Sequence, residues 1–443
     1  MSTFFKQRRA YYAACLFVGS GLVSAEAYEL YSTPEQQLNF DLSANFGIFN
    51  SKKAYQQTGT QTAKSHTWRE GTLKYGFSGS QQFSNASVLD AGLAWVSTAT
   101  WGDGDAAGFT DGSERRTKLE DAWMRWRSGD LFPVLGQHGL EVSAGRQLLS
   151  VGDGFLINGD QVSFGQGLAD GVLDRGGAYY LAGRSSFAET AVLRIGGSEG
   201  WRSDLIWLKS DNRAQAKTEL YVGTLEHAAE QGTLGLTFIK GQGVDKKYAD
   251  DVQLERDGMK VYSLRGQGNL GVEPLFLSAE YAWQDKPSGN NNAWYLEAGW
   301  TFQDVAWSPT LSYRYSRFSK HYDPLFYGFS RGFGTWYQGE VAANYAGPFN
   351  SNAKVHFVGL TADVSDKLGL GLQLFDFASI DRSQGDFSGN EVDLYLEWQA
   401  HPKLTIMPLV GVYKPKKSAA QVGSQLAGNG RNVYSQLIFS SSF

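Results

Sequence analysis

Cysteine, proline and long apolar runs are scarce in this 443-residue chain. The single cysteine, Cys15, excludes a disulfide framework and a cysteine-ligated iron–sulfur site. Prolines number only 10, whereas glycines number 53 and aromatic residues make up 14% of the chain. That balance is typical of many strands joined by tight turns. Because no Pro/Ser-rich linker or charge block interrupts the sequence, we expect one large domain.

Residues 1–27 have the pattern of a secretory signal peptide. Three basic side chains precede the largely apolar stretch 10–23, and small residues then allow cleavage after Ala25 or Ala27. The stretch falls short of the roughly 20 apolar residues that cross a bilayer, which favours cleavage over an uncleaved anchor. We therefore expect export, with residues 28–443 as the mature chain.

Acidic residues outnumber basic ones, with 45 Asp and Glu against 40 Lys and Arg. This balance argues against a polycationic protein that binds nucleic acid. The six histidines are scattered along the chain, and none forms a close metal-binding pair. We expect no catalytic residues, no metal site and no cofactor.

Apolar and polar residues alternate in a recurring segment about ten residues long. In residues 293–302, the sequence AWYLEAGWTF places Leu296 and Trp300 on one parity and Tyr295 and Glu297 on the other. The same pattern returns in residues 39–49, 275–283 and 391–399. From about residue 38 to the C-terminus we count roughly 16 to 20 such segments. Since a period of two is that of a β-strand with two different faces, the sequence predicts an all-β protein.

Strand length and ring position indicate that one face meets lipid. A soluble sandwich also alternates, but strands that cross a bilayer need roughly 9 to 11 residues and carry aromatic girdles. Trp283, Trp300 and Trp398 all lie late in apolar faces. Phe443 closes an amphipathic segment, which resembles the recognition signal of outer-membrane barrels. We predict a transmembrane antiparallel β-barrel that crosses the outer membrane many times.

The opposite parity of each strand should line the lumen, where function is expected. The residues that alternation turns inward include Lys74, Arg125, Arg127, Arg194 and Arg314. As a set, these cations favour the passage of anions, because rings of Arg or Lys select them electrostatically. The alternative is structural, since opposite charges on neighbouring strands pair across a barrel wall.

The segment HYDPLFYGFSRGFGTWYQGE, residues 321–340, combines seven aromatic rings with four glycines. We expect its first half, through Phe333, to be a loop that lies outside the barrel or folds into the lumen. After Gly334, apolar and polar residues alternate, which predicts a wall strand that turns Gln338 and Glu340 toward the pore.

Several segments resemble the alginate export proteins, outer-membrane β-barrels of Gram-negative bacteria. The most specific are YDPLFYGF and GTWYQGE, at residues 322–329 and 334–340. Further similarity lies in LEDAWMRW, SAGRQLLSVGDG, SYRYSRFS and NAKVHFVGL, at residues 119–126, 143–154, 312–319 and 352–360. The resemblance implies a monomeric barrel of about 18 strands. It also implies an electropositive constriction through which a polyuronate is passively exported.

The resemblance also implies which residues contact substrate. The arginines it points to are Arg125, Arg146, Arg194 and Arg314. A guanidinium suits this role because it pairs with a carboxylate through two hydrogen bonds.

Arg146 is a special case, because it has the parity of Val142 and Ala144. That parity would turn it toward lipid unless the strand ends or bulges before it. We follow the motif and place Arg146 in the lumen. Asp153 or Asp160, in the segment that follows, is the implied acidic gate or partner.

The sequence therefore predicts an outer-membrane channel for passive passage of an anionic polysaccharide or oligosaccharide, alginate-like by resemblance. One alternative is a substrate-specific porin for small carboxylates or hydrophobic compounds. Others are a barrel hydrolase with Ser, His and a carboxylate at one rim, and a plugged adhesion or scaffold barrel. The expected partners are the anionic saccharide, outer-membrane lipid, the barrel-assembly machinery through the Phe443 strand, and periplasmic export components.

Overall fold

The computed structural model describes residues 28–58, 61–165, 175–328, 330–383 and 385–443. The strands in chain order are β1 Tyr28–Ser32, β2 Gln36–Ser51, β3 His66–Gln82, β4 Val88–Gly102, β5 Arg115–Arg127, β6 Leu140–Gln147, β7 Ser150–Val151, β8 Ile157–Asn158, β9 Phe187–Ile195, β10 Gly200–Lys209, β11 Glu219–Ala229, β12 Gly232–Gly243, β13 Lys260–Gly268, β14 Leu275–Lys286, β15 Gly289–Thr301, β16 Thr310–Phe318, β17 Ala353–Ser365, β18 Leu368–Ser379, β19 Gly389–His401, β20 Leu404–Pro415 and β21 Asn432–Ser442. The helical segments are Pro133–Leu135, Arg213–Gln215, Asp251–Leu254, Ala342–Ala346 and Ala419–Gln421. None of these has the length and hydropathy needed to cross a bilayer. The predicted signal peptide, residues 1–27, lies outside the described residues.

Eighteen of the described strands close into one antiparallel barrel. Each wall strand pairs with the next along the chain, except that β6 pairs with β9 because β7 and β8 form a separate hairpin. The ring closes where β21 pairs with β2. β1 adds to the same sheet by pairing with the first part of β2. The predicted antiparallel barrel of about 18 strands is confirmed.

Side-chain alternation separates an apolar outer surface from a mixed inner one. On β15, Leu296 is 58% exposed, whereas its neighbour Glu297 is 8% exposed. The same alternation of exposed and buried positions runs along β14 and β19, as the sequence predicts. The exposed apolar residues form the surface that a bilayer would cover.

The two ends of the barrel differ in their connections, and we call them the turn end and the loop end. Short connections at the turn end include 83–87, 230–231, 366–367 and 402–403. Long connections at the loop end include 52–65, 103–114, 148–186 and 319–352. β21 finishes at the turn end, where Phe443 and Leu42 exchange two backbone hydrogen bonds of 2.8 and 3.2 Å. Phe443 is exposed on the outer face, as expected for an amphipathic terminal strand.

Two loop-end connections fold into the barrel. The first inner loop is 148–186, described over 148–165 and 175–186, and the second inner loop is 319–352, described except for residue 329. The Trp336 indole N–H donates to the Asp153 carbonyl oxygen at 3.0 Å, which joins the two loops. Trp336 is completely buried. The packed core of the protein therefore lies inside the barrel, near the loop end.

The prediction of a wall strand after Gly334 is wrong. The loop predicted before Gly334 is observed, and it folds into the lumen. The residues after Gly334 stay in the second inner loop and form a π-helical turn at Ala342–Ala346. The backbone N–H groups of Val341 and Ala342 donate to the Glu391 carboxylate on β19, at 2.6 and 2.9 Å. The Glu391 side chain thus supplies acceptors for backbone N–H groups that a neighbouring strand would otherwise bind. A segment that alternates apolar and polar residues can therefore lie here without forming a strand.

Candidate functional site

The lumen wall carries an arc of cations between its middle and the turn end, which we call the cationic arc. Its members are Lys74, Arg125, Arg127, Arg194 and Arg202. They lie on β3, β5, β9 and β10, and strand alternation turns each side chain inward. The first four are positions where the sequence predicts an inward cation.

Each cation of the arc is paired with a carboxylate on the wall. The Lys74 ammonium lies 2.5 Å from the Asp121 carboxylate. The Nε atoms of Arg125 and Arg127 both donate to Asp90 on β4, at 3.1 and 3.0 Å. The structural alternative raised by the sequence, charge pairing across the wall, therefore applies to these residues.

The same pairing continues on the far side of the arc. Arg194 lies between two carboxylates, 2.8 Å from Glu141 and 3.3 Å from Asp204. Arg202 donates to Glu226 on β11 at 2.5 Å. These contacts cross from strand to strand and tie the wall together.

Within the cationic arc, the basic side chains are more exposed than the carboxylates that pair with them. The cationic side chains are between 29% and 41% exposed, whereas their carboxylate partners are between 10% and 27% exposed. The acids lie closer to the wall and the bases closer to the water. The solvent-facing surface of the arc is therefore positive although its formal charges are balanced.

Arg146 enters the lumen through a bulge in β6. The pairing of β6 with β9 shifts register between Gly145 and Gln147, and Gly145 has a φ of +117°. The bulge takes Arg146 off the parity of Val142, so its side chain is buried. Its inward position is the one that the motif implies, and glycine permits the backbone conformation that produces it.

Arg146 belongs to a cluster of three arginines around Asp211, which we call the arginine cluster. Arg146 lies 2.7 Å from Asp211, Arg175 lies 3.4 Å away and Arg184 lies 3.7 Å away. Burial raises the pKa of Asp211, but these guanidinium groups outweigh it and hold that pKa below its ordinary value.

Asp160 is completely buried and lies 2.5 Å from Arg175. The Ser210 hydroxyl and the Asn212 side-chain nitrogen, outside this loop, also donate to Asp160 at 2.6 and 3.0 Å, so Asp160 anchors the first inner loop.

Arg314 and Asp153 anchor the second inner loop. The Arg314 guanidinium lies 4.9 Å from the centre of the Trp336 ring and 3.5 Å from the Glu297 carboxylate. Asp153 lies 3.4 Å from Arg331. Arg314 and Asp153 are 2% and 4% exposed at the side chain, so neither presents a charge to open water.

Glu340 is buried in the second inner loop. The Tyr180 hydroxyl donates to its carboxyl group at 2.6 Å, and Asp393 on β19 lies 3.4 Å from its backbone nitrogen. Burial raises the pKa of Glu340 to about 8, since the Tyr180 hydrogen bond offsets burial only in part and Glu391 repels the charged form. The group is therefore largely protonated at neutral pH. Neither these carboxyl groups nor any other acidic, His or Cys group in the described residues is arranged to hold a metal ion.

Sequence reasoning missed three of the arginines that fasten the inner loops. Arg175, Arg256 and Arg331 lie in connections, where no periodicity indicates which way a side chain points. Arg202 and Arg265, by contrast, follow the alternation of β10 and β13 and could have been found from it.

No protein-family model matches the chain, and no curated protein matches its sequence. Its fold, however, is similar to solved structures. OccK11 (OpdR) of Pseudomonas aeruginosa is 13% identical, with 91% of this chain and 96% of that chain covered and a TM-score of 0.54. OpdQ of the same organism is 11% identical, with 92% and 97% covered and a TM-score of 0.55. A BenF-like porin from Pseudomonas fluorescens Pf-5 is 10% identical, with 92% and 98% covered and a TM-score of 0.55.

At these identities the likeness concerns the fold, which is that of outer-membrane porin barrels. It covers nearly the whole of each chain. None of the three structures is described as an alginate exporter, and the finer resemblance to that family stays a prediction.

Proposed function

We propose that this chain is an outer-membrane channel for small solutes and that it favours anions over cations. The observation that carries the proposal is the unequal exposure within the cationic arc. An ion that passes the arc meets the basic ends of the pairs first, because the acidic ends lie deeper in the wall.

The electrostatics of a narrow lumen strengthen this preference. Walls of low dielectric constant focus the field of the charges that line them. Salt screens exposed charges over about 8 Å at physiological ionic strength, so the arc acts on ions close to the wall. Rings of Arg or Lys select anions in other pores by the same attraction.

The inner loops favour a small solute over a polymer. They fill the loop end of the barrel with a packed core that includes Trp336 and Tyr345. A polyanion in passage would need accessible cations along its path, whereas Arg146 and Arg314 are 8% and 2% exposed and already paired. These contacts therefore support the small-solute porin, one of the alternatives that the sequence leaves open, more strongly than alginate export.

Similar folds support transport as the role. One of the similar structures is described as a porin, a BenF-like protein. We carry over the transport role and no substrate. Catalysis, an oligomeric state and periplasmic partners form no part of the proposal.

Reversal potentials test the proposal. The refolded chain, without residues 1–27, would be inserted into planar bilayers under a KCl gradient. We expect anion selectivity, and we expect it to fall when Lys74, Arg125 and Arg194 are all changed to Gln. The control is Lys240→Gln, since Lys240 is an exposed residue of β12 with the outward parity of Leu236 and Phe238.

Each outcome of that experiment bears on the proposal. A cation-selective wild-type pore would contradict the anion preference but would still support the channel function. If Lys240→Gln lost as much selectivity as the triple variant, the cationic arc would not be the source of the anion preference. Absence of conductance in correctly folded protein would contradict the channel and favour a plugged barrel.

A further inference from the structure

A cavity of about 300 Å³ lies among the loop-end connections, and none of its lining residues belongs to the cationic arc. Residues from connections 52–65, 103–114, 148–186 and 319–352 contribute to its wall. Aromatic rings dominate that wall, among them Phe109, Phe164, Tyr179, Tyr327, Tyr337 and Phe349. Four separate connections thus converge to make one aromatic enclosure.

The rings form two packed groups that fix the shape of the cavity. Phe109 has ring centres 4.5 Å from Phe164 and 4.7 Å from Tyr179. Tyr327 and Tyr337 lie 5.3 Å apart, centre to centre. Such contacts hold each ring in place at separations typical of stable aromatic pairs. A planar ring compound could therefore bind without first ordering the wall.

None of the described residues that line the cavity carries a formal charge. The polar members are Gln57, Gln161 and Asn344, together with tyrosine hydroxyls. A carboxylate or ammonium placed in such a wall would lose hydration with no opposite charge to offset the loss. An uncharged ligand avoids that cost.

The amides are oriented by the surrounding backbone. The Gln57 side-chain nitrogen donates to the Tyr345 carbonyl at 3.0 Å, and the Gln161 side-chain nitrogen donates to the Asn158 carbonyl at 2.7 Å. These bonds fix which way each amide points, and the amide oxygens are the acceptors that these groups offer. A hydroxyl on the ligand would match them.

We propose that this cavity binds a neutral single-ring aromatic compound with a hydroxyl group, of the phenol class. The volume agrees, because an apolar cavity of roughly 150 Å³ holds benzene and ligand sites begin near 300 Å³. The inference rests on the proposed function, since it makes the cavity a binding site for a solute that enters the channel at the loop end. It adds a ligand class that the cationic arc does not specify.

Equilibrium dialysis of labelled phenol against the detergent-folded chain tests the inference without any current measurement. Tyr327→Leu removes one ring and hydroxyl from the cavity and keeps an apolar side chain. Tyr281→Leu is the matched control, because Tyr281 lies on the outer face of β14. We expect the first variant to bind phenol about fivefold to tenfold more weakly and the second to bind as the wild type does. Phe164→Leu serves as a second cavity variant if Tyr327→Leu does not fold.

The result separates this inference from the proposed function. Equal phenol binding by the wild type and both cavity variants would overturn the site, and so would tighter binding of benzoate than of phenol. Reversal potentials measured on the same preparation report on the channel alone. Anion selectivity without phenol binding would therefore contradict the phenol site and support the channel. Phenol binding without conductance would support the site and contradict the channel.

Discussion

The Arg331 guanidinium donates two hydrogen bonds to the Glu297 carboxylate, at 3.0 and 2.7 Å, and so fastens the second inner loop to the barrel wall. Both groups are largely buried, and a paired, hydrogen-bonded charge is costly to leave alone in such a place. The charge pair therefore stabilises the second inner loop in its position inside the barrel.

Arg331→Gln should loosen the second inner loop. Breaking a buried pair costs about 3 kcal/mol, so we expect a larger mean conductance and more frequent openings in planar bilayers. Arg382→Gln is the control, because Arg382 is 63% exposed and contacts Asp386 in another connection at 3.6 Å. Unchanged currents in the folded Arg331 variant would show that the pair does not restrain the loop.

Docking of the same loop should weaken in alkaline solution. The pKa of Glu340 is about 8 in the folded protein, above its ordinary value of 4.5. The stabilisation from the buried neutral group is therefore fully present below pH 4.5 and is lost as the pH rises through about 8. We expect channel openings to increase as the pH rises from about 5 to 8 and to change little above that. Glu340→Gln, which stays neutral, should remove most of that increase, and an unchanged pH response would contradict the assignment to Glu340.

Asp90→Asn should increase anion selectivity, because Asp90 compensates both Arg125 and Arg127. Water partly screens the two arginines, whose side chains are 35% and 29% exposed, so we expect only a roughly twofold rise in the anion-to-cation permeability ratio. Reversal potentials give that ratio directly. Asp376→Asn, on the outer face of β18, is the control and should leave the ratio unchanged. A fall in the ratio for the Asp90 variant would contradict the arrangement of the arc.

Gly145→Ala should destabilise the barrel at the bulge of β6. A Cβ atom there would lie 2.2 Å from the Ala122 carbonyl oxygen, and the φ of +117° is unfavourable for alanine. We expect a loss of about 2 kcal/mol, measured as a lower urea midpoint for folding in lipid vesicles. Gly243→Ala is a matched control in β12, since nothing lies within 4 Å of its added Cβ. Equal midpoints for the two variants would show that the bulge does not require glycine.

The barrel could be predicted from the sequence because period-two alternation has one simple physical cause. Successive residues such as Leu296 and Glu297 face lipid and lumen in turn, so the change from apolar to polar appears between neighbouring positions of the sequence. The same rule correctly turned Lys74, Arg125, Arg127 and Arg194 inward.

The candidate site was less predictable, because it depends on contacts between distant segments. Alternation predicts that Arg314 points inward but not that Trp336 lies over it. After Gly334 the same rule failed, because a loop inside a barrel is surrounded by protein and its polar groups find partners on the wall. The bulge at Gly145 was foreseen only as a condition for placing Arg146 inward.

The two inner loops are joined to each other as well as to the wall. Ile157 and Phe326 form a parallel backbone bridge, and the Asn158 N–H donates to the Phe326 carbonyl at 2.7 Å. The Trp336 contact to Asp153 adds to this connection, so we expect the two loops to move as one unit. Current through one molecule should then switch between two discrete levels, and its noise should show no intermediate step.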